Sequence, residues 1–126
     1  MVQQTKIGAK IWNDRDDKIE KIPRFLEHSY HIQHPKKDAI NSDWSVEVHG
    51  PSTIYLAETN TKHETDMIKR GWKKEADEVI ISCCKLGQIW KKRMKNQNLN
   101  TVNLPKMGPE EAPRIVFIKG NNQEHY

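Results

Sequence analysis

The sequence predicts an α+β domain in which a small antiparallel or mixed β-sheet packs against one long amphipathic helix. Three observations carry this expectation. Between Thr61 and Lys95, apolar side chains recur at Ile68, Trp72, Ala76, Val79, Cys83, Leu86, Trp90 and Met94, in the steps of three and four that mark one helix face. Between Trp44 and Glu58, apolar and polar residues alternate in two short runs separated by Gly50-Pro51-Ser52. From Ile115 to Ile118, four apolar residues follow one another without a break.

Taken in order, Lys6 to Trp12 suits a short strand, with Ile7, Ala9 and Ile11 on alternate positions. Arg24 to Gln33 reads as a second strand with Leu26, His28, Tyr30 and Ile32 on one face, or else as a short helix. Trp44, Val46 and Val48 alternate with polar residues, and Ile54 and Leu56 do the same after the Gly-Pro-Ser break, which predicts a hairpin. The long helix begins with a capping-box pattern, Thr61 and Glu64, and with acids Glu64 and Asp66 at the positive end of its dipole. Ile80, Ile81 and Ile89 widen its apolar stripe. Gly71 and Gly87 weaken the helix by about 1 kcal/mol each relative to Ala, so it bends or ends near Gly87. Residues 96–113, punctuated by Pro105, Gly108, Pro109 and Pro113, are expected to be an extended loop. Arg114 to Lys119 reads as a strand buried on both faces, and residues 120–126 as a flexible tail.

With 126 residues the chain is expected to form a single domain over 1–126. Only 35% of it is hydrophobic, and its mean hydropathy is -0.90. That is thin core material, which points to a core completed by a partner or to a piece of a larger assembly. The formal net charge is +4. Lys62 to Lys95 hold ten Lys or Arg against five Asp or Glu, so this stretch carries the positive field. No apolar run reaches the roughly 18 residues of a membrane-crossing helix, and no secretory apolar centre follows Met1. Cys83 and Cys84, about 100 degrees apart on a helix, are not expected to bond to each other. A cytoplasmic protein with reduced thiols follows.

Few residues suggest chemistry. His28, His31 and His34 are spaced by three; on a helix the first two share a side and could hold a metal, whereas on a strand they point apart. Without firm third and fourth ligands, ordinary surface or edge histidines are the simpler reading, and no metal or cofactor is expected. Cys83 falls on the apolar stripe and reads as a small core residue. There is no phosphate loop, nucleophile elbow or paired Cys ligand set, so the chain is not expected to be an enzyme. The basic end of the helix, with Trp90, Lys91, Lys92, Arg93 and Lys95, is the candidate partner-binding site. Its cations suit a protein partner, an acidic surface such as a microtubule wall, calmodulin, or nucleic acid.

The runs DWSVEV, TIYLAET and HETDMIKRGWKK together resemble the C-terminal β-rich region of androglobin-type proteins, over about 30 residues. Glu64, Ile68, Lys69 and Trp72 would take the places of that region's capped helix. The resemblance implies a non-catalytic module of a large protein associated with a cilium or flagellum, with no haem or protease residue carried onto these positions. Sequence and resemblance together predict a non-catalytic protein–protein interaction or structural module of a larger intracellular assembly. The alternative is a nucleic-acid-binding domain that uses the basic end of the helix.

Overall fold

The stretch read as a long helix folds mostly as strands. In this computed structural model the described residues are 2–11, 16–32, 44–49, 51–58, 64–83, 85–94, 99–104 and 114–120. They form strands β1 (Val2–Gln4), β2 (Ile19–Lys21), β3 (Tyr30–Ile32), β4 (Trp44–His49) and β5 (Ser52–Glu58), then helix α1 (Glu64–Lys69). Strands β6 (Lys73–Glu75), β7 (Val79–Ile81), β8 (Lys85–Leu86), β9 (Gln88–Met94), β10 (Leu99–Leu104) and β11 (Arg114–Gly120) follow. A 3-10 helix spans Arg24–Leu26. The α+β architecture with one long amphipathic helix is therefore replaced by a mainly β fold in which the α-helix of the described residues is six residues long. No described helix is long and apolar enough to cross a membrane.

Why the helix stops is visible at Gly71. The Trp72 amide donates to Met67 O and the Gly71 amide to Ile68 O, each at 3.1 Å, while Gly71 takes φ 91. This is a Schellman cap, with glycine at the left-handed position and the accompanying apolar contact supplied by Met67 and Trp72 in one buried cluster. Beyond it, the β-branched run Val79-Ile80-Ile81 and the alternation of β9 favour extended backbone. The three-four spacing of apolar residues is coincidental: Ile68, Ala76 and Cys83, three of the eight stripe positions, are exposed.

The main sheet has six strands in the order β1-β3-β11-β5-β9-β6, and every pairing is antiparallel. A three-stranded sheet, β2-β7-β8, and a two-stranded sheet, β10-β4, accompany it. The expected hairpin does not form. β4 and β5 are both strands, but β4 pairs with β10 and β5 lies between β11 and β9. β10 itself lies within residues 96–113, where a loop was expected. Arg24 to Gln33 splits into the 3-10 helix and β3, and the first strand is Val2–Gln4 rather than Lys6 to Trp12. The expectation for β11 agrees with the structure: Ile115, Val116 and Phe117 are all fully buried.

Each face of the main sheet supports its own core, because successive side chains of a strand point to opposite faces. On one face Tyr55, Ala57, Ile89, Ile115 and Phe117 pack with Ile19, Val79, Ile81 and Leu86 of the three-stranded sheet and with Ile11 and Leu26. On the other face Ile54, Leu56, Trp90 and Val116 pack with Val48, Met67 and Trp72. Burial on both sides explains why all seven residues of β5 are buried. Cys83 is exposed and disulfide-bonded, which overturns the expectation of reduced thiols. The one other cysteine in the sequence, Cys84, lies outside the described residues.

Candidate functional site

The basic amphipathic helix expected to present Trp90, Lys91, Lys92, Arg93 and Lys95 does not form. The first four of these residues belong to β9, and Lys95 lies outside the described residues. Strand alternation divides them. Trp90 faces the second core at 0% exposure, and its indole N–H donates to Glu58 Oε1 at 2.9 Å. Lys92 lies on the same face; its ammonium donates to Arg70 O at 2.8 Å and sits 5.8 Å from the centre of the Trp72 ring. Lys91 and Arg93 point the other way. Lys91 is directly opposite Lys73 on β6, and this like-charge contact is offset by Glu75, whose carboxylate lies 3.5 Å from the Lys91 ammonium. Gly71, Lys73, Glu75, Lys91 and Arg93 line an open groove of about 390 Å³.

The two described histidines of the cluster, His28 and His31, sit in different settings. His31 is buried on β3, with Nε2 donating to Lys10 O at 2.8 Å and Nδ1 accepting from the Thr5 hydroxyl at 3.2 Å. The carbonyl can only accept, which fixes this tautomer. Burial holds the His31 imidazole below its ordinary titration range, and the bond to Lys10 O opposes this in part. With both ring nitrogens engaged, His31 is a core polar group. His34 lies outside the described residues, and His28 is exposed in a turn.

That turn holds the one non-glycine residue with a positive φ among the described residues. Glu27 has φ -63 and ψ 141, His28 has φ 68, and the Ser29 amide donates to Leu26 O at 3.3 Å. These values describe a type II turn, whose third position normally takes Gly or Asn. The Ser29 hydroxyl also donates to Leu26 O, at 2.6 Å, and Ser29 O accepts from the Thr5 amide at 2.9 Å, which ties the turn to the end of β1. Between turn and strand lies a pocket of about 320 Å³ lined by Gln4, Thr5, Lys6, Ile7, Ile22, Glu27 and His28. Sequence reasoning singled out His28 for a different role and missed the pocket, since nothing in Glu27-His28 announces a turn that usually requires glycine.

No protein-family model matches the chain, and no curated protein matches it either. Similarity appears at the level of fold. A β-glucuronidase from glycoside hydrolase family 2 superposes with a TM-score of 0.75 and 15% identity, over 96% of this chain and 13% of that one. A GH138 enzyme targeting pectin rhamnogalacturonan II superposes with a TM-score of 0.71 and 15% identity, over 94% of this chain and 15% of that one. The chain thus has the fold of a small part of two much longer chains.

Proposed function

We propose that this chain is a non-catalytic β-sheet module that works as one part of a larger carbohydrate-processing protein and docks on a companion domain. One observation carries this reading: the fold accounts for 96% of this chain but only 13% of a longer glycoside hydrolase. The packing agrees with a unit that folds on its own residues, since both faces of the main sheet are covered by side chains of the same chain. Nothing gathered in the two concavities resembles a nucleophile held by an oriented base. A ciliary setting has the androglobin-type resemblance as its only support, and the module reading stands without it.

The test uses the chain alone with chromogenic aryl glycosides, including an aryl β-glucuronide, and with immobilised plant polysaccharides. We expect cooperative unfolding, no hydrolysis, and retention on polysaccharide. Hydrolysis above the buffer rate that disappears when Glu27 or Glu75 is changed to Gln would overturn it, and so would a chain that neither unfolds cooperatively nor is retained.

A further inference from the structure

We infer that the pocket between the end of β1 and the Glu27-His28 turn is a binding site for a neutral sugar ring. The inference rests on the carbohydrate reading above and gives it a place on the molecule. The pocket's volume, about 320 Å³, is at the small end of ligand sites, suited to a mono- or disaccharide and not to a large cofactor.

Its lining is divided as an amphipathic ring requires. Ile7 and Ile22 supply an apolar wall, and Ile7 is left 59% exposed, one of the few large apolar side chains of the described residues in that state. The C–H face of a sugar ring would cover it. Gln4, Lys6, Glu27 and His28 supply the polar wall, and none of these side chains makes a hydrogen bond or ion pair among the described residues. Sugar hydroxyls both donate and accept; here Lys6 donates, Glu27 accepts, and the Gln4 amide and the His28 imidazole do both. The charges of Lys6 and Glu27 oppose each other, which favours a neutral ring over an anion or a cation.

The backbone supplies the second line of argument. His28 takes a left-handed conformation at φ 68 that glycine would adopt without strain. An exposed imidazole kept at such a position, on the rim of a pocket, is accounted for by what its side chain contacts when the pocket is filled. Thr5, one of the lining residues, is buried and its hydroxyl is held by His31, so this part of the lining is fixed.

The experiment follows backbone amide shifts of the full chain during titration with methyl β-glucoside, methyl β-galactoside and methyl α-rhamnoside, and with an oligosaccharide of the best of them. The second arm separates a free sugar from a chain end. At least one neutral glycoside should shift residues 4–7, 22, 27 and 28 together. His28→Gly should raise the thermal midpoint, because strain is relieved, and weaken binding at least tenfold. Ile7→Ser should weaken binding and leave the midpoint unchanged. The assignment is overturned if no glycoside shifts these residues, if His28→Gly binds as tightly as the parent, or if methyl glucuronide binds better than every neutral glycoside. Shifts at Lys73 and Arg93 instead would remove the pocket and leave the module reading intact. Hydrolysis of an aryl glycoside would remove the module reading whatever the pocket does.

Discussion

The Trp90 indole donates to Glu58 Oε1 at 2.9 Å across strands β9 and β5, with both side chains completely buried. In the register of these strands Glu58 lies opposite Gln88 and Leu56 opposite Trp90, so the bond runs diagonally and couples two rungs on one face, with the Ala57–Ile89 pair between them. Removing the donor while keeping an aromatic ring should be costly, because a buried acceptor loses its partner. Trp90→Phe is expected to destabilise the fold by about 2 kcal/mol, within the range for leaving a buried acceptor without its partner. Glu58→Gln keeps an acceptor oxygen and should cost less. Urea unfolding of the two variants checks the order; equal losses would contradict it.

His31 gives the fold a pH dependence with a definite sign. Its titration in the folded state is lowered from 6.5 by burial, so at acid pH the unfolded chain binds a proton that the folded chain resists. Stability therefore rises with pH over this window. The contribution of His31 is constant above the unfolded value of 6.5 and becomes increasingly unfavourable as pH falls below it, levelling off beneath the folded value. The urea midpoint should drop between pH 7.5 and pH 5, and His31→Gln should flatten that drop. A parent and variant with parallel profiles would show that His31 is not its source.

The Schellman cap makes Gly71 irreplaceable in a way that Gly87 is not. A Cβ at Gly71 meets only Lys92 Cε, at 3.9 Å, so space is not the obstacle; the φ of 91 is. Gly71→Ala should cost about 1 to 2 kcal/mol, the left-handed penalty for a residue with a Cβ. Gly87 has nothing within 4 Å of a Cβ and no positive φ. Gly87→Ala should be neutral or stabilise by a few tenths up to about 1 kcal/mol through the unfolded state. Thermal midpoints of the two variants decide this.

Legibility in the sequence followed the strength of the local pattern. The run Ile115 to Ile118 leaves few options, and β11 lies inside the main sheet between β3 and β5. The segments 44–49 and 52–58 were readable as strands, but which strand each would pair with depends on contacts far along the chain. β5 finds β11 and β9, and β4 finds β10. The stripe from Ile68 to Met94 imitates a helix because short strands and turns place apolar residues at helical intervals, while the two glycines and the Val-Ile-Ile run oppose one. Of the candidate site, His28 was visible as a residue, but its turn and pocket were not. They depend on Ser29 meeting Thr5 across β3 and β1.

Two residues of that stripe separate the strand fold from a helical one. On a helix face Ile68 and Leu86 would be equivalent; in this fold Ile68 is 58% exposed and Leu86 is 0% exposed, in the core beneath Ile89 and Tyr55. Ile68→Ala should change stability by no more than about 0.5 kcal/mol, as for ordinary surface substitutions. Leu86→Ala should cost about 2 to 5 kcal/mol, since it removes buried methyl groups and leaves a cavity. Denaturant midpoints measured side by side are sufficient. Comparable losses at the two positions would restore the single buried helix face and remove the sheet assignment of β8.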